Sequence, residues 1–280
     1  MKKLFFFTII DLLCFASFAQ QAPRLLVRGD DMGYTHSGNE ALIMCYQHGI
    51  EKSIEVLVAS PWFPEAVKLL KQNPGIDVGI HLDLTSEWEN IKWRPLSDCP
   101  SLKDSAGYFF PMVFPNKNYP GRSISEHKWK IEEVEKEFRA QIELALKNIP
   151  DISHFSAHMG CTNLSPEVRA LTIKLAKEYK ISVDPEWDYK GFIGYDGPHK
   201  TSQEKTESFI RMLNKLEPGK TYIFLDHPGL CNDELKAVYH IGYEDVCEDR
   251  QGVTDVFTSD RVKEVIKQKG IQLITYRDLK

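Results

Sequence analysis

Residues 24–33 read Arg-Leu-Leu-Val-Arg-Gly-Asp-Asp-Met-Gly. A short apolar strand, Arg24 to Arg28, runs into two adjacent carboxylates, Asp30 and Asp31. Beyond it, strand and helix signals take turns. Ser37-Gly38-Asn39-Glu40 has the spacing of a capping box and predicts a helix running toward Gly49. Ser53 to Val58 is β-branched and strand-like, Phe63 to Gln72 is helical, and Asp77 to Leu84 (DVGIHLDL) is the next strand. Thr85 to Ser123 is a long irregular stretch rich in Pro, Gly and aromatics, the kind of loop that serves as a lid or binding surface. A helix from Ser125 to Asn148 follows, then a strand from Ile152 to His158. Ser165-Pro166 starts a helix to Tyr179. A very short strand spans Ile181 to Val183, and a second long loop spans Asp184 to Ser202. A helix from Gln203 to Leu216, a strand from Tyr222 to Leu225, a helix from Thr258 to Lys269 and a strand from Ile271 to Thr275 complete the pattern.

Such alternation argues for a parallel sheet. The number of units predicts an α/β fold: a modified (β/α) TIM-like barrel forming a single domain over residues 20–280. An open doubly wound sheet is the competing architecture. A chain of 280 residues, 42% of them apolar, suits one large core. The formal net charge is −5 with both signs interleaved, which excludes the basic footprint of a nucleic-acid binder.

The first residues stand apart. Lys2 and Lys3 precede an apolar run, Leu4 to Phe18, and Ser17-Phe18-Ala19 offers small residues at a cleavage site. Residues 1–19 therefore read as a signal peptide, and the mature protein as exported, periplasmic or extracellular. Asp11 interrupts the run, Cys14 raises lipidation as an alternative in poor sequence context, and a buried N-terminal strand is the structural alternative. The run is too short for a membrane span, so no stable insertion is expected after cleavage. Five cysteines remain: Cys45, Cys99, Cys161, Cys231 and Cys247. An odd number leaves at least one unpaired or joined to another chain. Cys45 falls in a helical apolar pattern and reads as core. The sequence is compatible with a homodimer and does not require one.

Titratable residues gather at strand ends. Asp30 and Asp31 follow the first strand, His81 lies near the end of the third, and His158 and His227 come at the ends of two more. In a parallel barrel these ends share one face, the catalytic one. Two imidazoles and a carboxylate suit a divalent ion, with positions left open for water and substrate. A water on such an ion becomes a nucleophile near neutral pH. A second carboxylate could then act as base, and a histidine across the site could protonate a leaving group.

These motifs resemble a known family. Gly29-Asp30-Asp31-Met32-Gly33 is similar to the N-A-D-D-F-G opening of the ChbG/YdjC carbohydrate deacetylases, which include the HpnK enzymes. Asp77-Val78-Gly79-Ile80-His81-Leu82-Asp83-Leu84-Thr85 resembles that family's D-x-G-x-H-L-x-L-T. Pro95-Leu96-Ser97 to Leu102, Gly107-Tyr108-Phe109, Asp226-His227-Pro228-Gly229 and the tail from Phe257 to Leu279 resemble its remaining segments in order. The resemblance implies removal of acetyl groups from N-acetylated sugars or oligosaccharides of the chitooligosaccharide type. It implies Asp31, His81 and His158 as ligands of a divalent cation (Mg or Zn), Asp30 as base and His227 as acid. Two departures stand out. In His154-Phe155-Ser156-Ala157-His158-Met159-Gly160, Ser156 replaces an acidic residue and Gly160 a histidine, while Val253 replaces the Glu of an Arg-x-x-Glu that keeps Arg250. They mark a divergent subgroup and bear on the substrate more than on the chemistry.

Other polar and aromatic residues carry two readings. His154 reads as a strand residue or as support for the site, and His36 as pocket or surface. Cys161 reads as packed beneath the site. His48, His127, His199 and His240 read as surface residues. Trp88, Trp93 and Trp187, in the long loops, could stack on sugar rings or pack a lid. Competing functions are a barrel metal hydrolase acting on another amide, ester or phosphoester, a metal-assisted sugar isomerase, and a non-catalytic carbohydrate-binding protein.

Overall fold

The structure is a computed structural model that describes residues 21–149, 151–183 and 191–279. The expected signal peptide with Cys14, and Trp187, lie outside the described residues. Seven parallel strands are present: β1 (Arg24–Met32), β2 (Ser53–Val56), β3 (Asp77–Leu82), β4 (Ile152–Ala157), β5 (Ser182–Val183), β6 (Thr221–Asp226) and β7 (Gln272–Ile274). Their order is β5-β4-β3-β2-β1-β6, with β7 also on β1. Around them lie α1 (His36–His48), α2 (Phe63–Gln72), α3 (Ile131–Asn148), α4 (Pro166–Tyr179), α5 (Ser202–Asn214), α6 (Val246–Thr258) and α7 (Asp260–Gln268). The expected (β/α) barrel is borne out in an incomplete form, a curled parallel sheet in which, among the described residues, β5 and β6 do not pair with each other. Residues 191–193 lie alongside β6 there, because Ile193 N donates to Ile223 O (3.0 Å) and Ile223 N to Gly191 O (2.9 Å).

β1 is an interior strand with three partners and is buried along all but its first residue. Its start pairs with β7, its end with β2, and β6 runs along its other side. Arg28 therefore does not end the strand, as expected from sequence. Gly29 still pairs with Asp226 and Met32 with Val56, so Asp30 and Asp31 lie within the strand. The register slips between Gly29 and Met32. Asp31 there adopts φ 69°, a conformation uncommon for a residue with a Cβ. Gly29 answers a different need: a Cβ there would lie 2.3 Å from both Glu51 and Leu42.

Helix boundaries differ from expectation where a hydroxyl was assigned the wrong role. α1 is capped by Thr35, whose oxygen accepts from Gly38 N (2.9 Å), not by the box at Ser37. Ser37 lies inside the helix and donates to Glu234. α3 begins at Ile131 rather than Ser125, since the capping box Ser123–Glu126 closes a single 3₁₀ turn. β3 ends at Leu82, two residues early. Ser165 caps α4 as predicted. α6 was not foreseen, for Gly252, Thr254 and Thr258 weaken its helical signal while tertiary packing of Val253, Val256 and Phe257 supplies it.

The loop 85–123 is packed rather than open. Trp88, Trp93, Phe109 and Val113 join the main core with Leu82, Phe138 and Phe155. Each such side chain is worth about 1.5–3 kcal/mol on burial, which holds the loop over the sheet without regular structure. Cys45, Cys99 and Cys161 are buried thiols, and Cys231 is bonded to Cys247. No helix among the described residues is long and apolar enough to cross a membrane.

Candidate active site

The strand ends meet as anticipated. Asp31 on β1, His81 on β3 and His158 just past β4 each aim one ligand atom at a common point, all within 4.8 Å of one another. His158 Nδ1 lies 3.1 Å, and His81 Nε2 3.6 Å, from Asp31 Oδ1. That oxygen is buried and makes no hydrogen bond. A buried carboxylate oxygen left without a donor while two imidazole nitrogens face it costs free energy, unless a cation completes the group. The residues present therefore fit a divalent ion. Burial pushes the Asp31 carboxyl up, but His158, His227 and Arg250 outweigh it and hold the group well below the usual carboxylate range. Burial and neighbouring His158 push His81 well down, keeping it neutral, the form a ligand needs.

The other expected residues frame this triad. Asp30 Oδ2 stands 3.9 Å from His81 Nε2. Its oxygens accept from Arg28 Nε (2.6 Å) and Nη2 (2.8 Å), a bidentate clamp between residues on the same face of β1. His227, at the end of β6, places Nε2 3.8 Å from Asp31 Oδ2. Asp226 Oδ1 lies 3.5 Å from its Nδ1, and Asp226 Oδ2 accepts from the Tyr195 hydroxyl (2.8 Å). Burial would lower the His227 imidazole, but Asp31 and Asp226 hold it above its ordinary value. The slipped register gives the adjacent aspartates different surroundings. Asp30 is locked to a cation of its own, whereas Asp31 has one oxygen free for an ion and the other 3.1 Å from Arg250 Nη2.

Several contributors were not legible as such. Glu87, on the loop after β3, meets His158 Nε2 at 3.1 Å and so steadies that ring from behind. Arg250, the residue kept from the family's Arg-x-x-Glu, lies over the rings of Tyr34 (4.5 Å) and Trp88 (5.0 Å). Asp83, two residues past His81, accepts from Trp93 Nε1 (2.6 Å) and is pushed up to about 6 by burial. Beneath the triad, Glu55 on β2 bridges to β4, accepting from the Ser156 hydroxyl and meeting His154 Nε2 at 2.5 Å. Ser156 Oγ in turn lies 2.7 Å from His81 Nδ1. His154 stacks on Tyr276 (3.6 Å), whose hydroxyl accepts from Arg28 Nη1 (2.9 Å). The available signal was a charged residue inside a short apolar strand, at Arg28 and again at Glu55.

A cavity of about 450 Å³ opens over these groups, bordered by Trp88, Met159, His240 and Tyr243. His240, expected at the surface, instead lines this cavity beside Trp88 (5.6 Å between rings). Trp88 and Trp93 are 2% and 3% exposed, so neither presents a free face for stacking. Trp93 is held from below by Asp83, and the lid-packing alternative is the one realised. Cys161 packs beneath the site as expected, its thiol 3.0 Å from Leu82 O. His36 borders Glu65 (2.9 Å) and Glu40 (3.4 Å), away from the cavity.

Comparison with known proteins bears on this arrangement. The family model described as YdjC-like protein matches residues 24–268. "Carbohydrate deacetylase 1" of Listeria innocua is 30% identical over 264 residues, covering 91% of this chain and all of that protein. "Carbohydrate deacetylase" of Enterococcus faecalis is 26% identical over 272 residues, covering 91% and 98%. Among solved structures, an E. faecalis V583 protein named for cellobiose-phosphate cleavage superposes with TM-score 0.73 at 24% identity, over 92% of this chain and 99% of that one. A Streptococcus mutans CE4 esterase superposes with TM-score 0.51 at 10% identity, over 92% and 86%, a likeness of fold alone.

Proposed function

Because this chain belongs to the YdjC-like protein family, we propose that it is a carbohydrate deacetylase that uses a divalent cation to hydrolyse the acetamide of N-acetylated sugars or oligosaccharides. The observation that carries the chemistry is the orphaned Asp31 Oδ1 facing His81 Nε2 and His158 Nδ1. Two imidazoles with one carboxylate favour zinc over magnesium. When bound, the ion supplies Lewis acidity toward the acetyl carbonyl and toward water.

The residues divide the proton work. Asp30, oriented by the Arg28 clamp, takes a proton from the attacking water as its oxygen forms the new bond to the acetyl carbon. His227, whose imidazole Asp31 and Asp226 hold above its ordinary value, stands on the other side of Asp31 and gives a proton to the sugar nitrogen as the C–N bond breaks. Acetate and a free amino sugar result. The cavity beside Trp88, His240 and Tyr243 receives the sugar. Chitooligosaccharides are the proposed substrates, carried over from the resemblance alone; the names of the relatives support deacetylation of a carbohydrate and no particular one.

The test is acetate release from N-acetylglucosamine oligomers, with and without a chelator. Release that stops on chelation and returns with zinc supports the reading. No release from any N-acetylated oligomer by metal-loaded protein refutes it. Export through residues 1–19 is part of the proposal, and an intact Met1 on protein recovered from cells would refute that part.

A further inference from the structure

Three neighbouring strands build a relay under the triad. In the sheet register, Glu55 on β2 pairs with Gly79 on β3, and Gly79 with His154 on β4. A Cβ on Gly79 would sit 2.2 Å from Glu55 Oε2 and 2.5 Å from His154 Nε2. The glycine thus opens a gap through which the Glu55 carboxylate crosses β3 and reaches β4. Two residue pairs further along, on the same face, His81 is in register with Ser156.

The hydrogens along this line can be assigned. Ser156 has one, and it goes to Glu55 Oε2. Ser156 Oγ therefore accepts from His81 Nδ1, 2.7 Å away. With its proton on Nδ1, His81 must present a lone pair on Nε2, the atom that faces Asp31. Glu55, Ser156, His81 and His154 are at most 3% exposed, so water does not compete for these bonds.

We propose that Glu55, acting through the Ser156 hydroxyl, is the positioning residue that sets the tautomer and orientation of His81 for the cation. Its nearness to His154 is then the anchor of the carboxylate rather than its purpose. The proposal rests on the reading of Asp31, His81 and His158 as a cation site.

Zinc affinity of the purified protein, measured by chelator competition at neutral pH, tests this without reference to turnover. Groups that orient a ligating histidine typically contribute about 10–100-fold in affinity, and Glu55→Gln and Ser156→Ala should each lose that much. Glu55→Ala/Ser156→Asp puts a carboxylate directly against Nδ1, and it should bind zinc more tightly than Glu55→Ala alone. If Glu55→Gln does not fold, Ser156→Ala decides, since it leaves Glu55 and His154 in place.

Wild-type protein that takes up no zinc would refute the cation site and the relay with it. Wild-type protein that binds zinc, with both single variants within about twofold of it, would overturn the relay alone. Failure of Ser156→Asp to improve on Glu55→Ala would overturn it as well, by showing that lost packing and not lost orientation weakens the site.

Discussion

Breaking the bond between Cys231 and Cys247 should loosen one wall of the cavity and cost a measurable share of stability. Cys231 lies four residues past His227, and Cys247 is the second residue of α6, the helix that carries Arg250. The bond closes a loop with a sequence separation of 16, and that loop contains His240 and Tyr243 of the cavity wall. Loop-closure entropy for about 16 residues is roughly −10 cal/mol/K, or about 3 kcal/mol at 25 °C. For a domain of this size that corresponds to a melting temperature lower by roughly 5–6 °C. Other contacts tie the same segment, including Tyr243 to Asp249 (2.6 Å) and Cys231 N to Gln251 (2.9 Å), so the loop should stay folded at room temperature. The assay is a thermal melt of Cys231→Ser/Cys247→Ser against the wild type, each with and without dithiothreitol. The reductant should lower the wild type to the variant's value and leave the variant unchanged. KM should rise more than kcat falls, because the loop lines the cavity while His227 is placed by β6. A double variant melting within about 1 °C of the wild type would refute the reasoning, since it would mean that the loop is equally confined without the bond.

The two aspartates should part company on substitution. Asp31→Asn should lose metal and activity together, whereas Asp30→Asn should keep its metal and turn over very slowly, and equal metal loss on elemental analysis would show that both bind the ion. His227→Ala should cost about a hundredfold or more in kcat with normal metal content, the usual scale for a proton-transfer group, and loss of metal would instead make it a ligand. Glu51 predicts a pH effect on stability. Burial, with Asp30 nearby, pushes its carboxyl well above the usual range, and neither oxygen finds a partner. A raised carboxyl favours the folded state fully below its unfolded pKa, and that advantage falls by about 1.4 kcal/mol per pH unit as pH rises toward the folded value. Glu51→Gln should therefore gain on the wild type as pH increases from about 4.5 to neutrality, and parallel melting curves across that range would contradict the assignment.

What could be read in advance follows from how locally each feature is encoded. His81, His158 and His227 stand at or near strand ends, and Asp30 and Asp31 in the last residues of β1, so alternation of elements was enough to bring them to one face. The departure at Ser156 read as the loss of an acidic group. The missing carboxylate comes from Glu55, on a different strand, across a glycine, and no spacing within one segment reveals a partner two strands away. Arg28 and Glu55 were visible as charges inside apolar runs, yet their pairing with Asp30 and His154 depends on sheet order. Trp88 and Trp93 fitted a sugar platform by composition, and only the packing of residues 85–123 shows their faces covered. The end of β1 was misjudged because Gly and Asp usually stop a strand, and here β6 still pairs at Gly29 and β2 pairs beyond the aspartates at Met32.

The placement of β1 also governs when the site can come into being. The first strand among the described residues pairs with three others, and two of these neighbours, β6 and β7, are among the last strands to be made. Until residues 272–274 pair with Arg24–Leu26, the start of β1 lacks a neighbour on that side, and Tyr276 has not yet stacked on His154 or met Arg28. Asp30 is then without its settled clamp, and until β6 pairs with β1 His227 has no strand to carry it to Asp31. A growing or partly threaded chain holds the cation-binding residues of β1, β3 and β4 well before it holds the proton donor. Hydrolytic competence is thus deferred to the closing steps of folding, and removing the final strand should abolish activity through β1 without touching any residue that meets substrate.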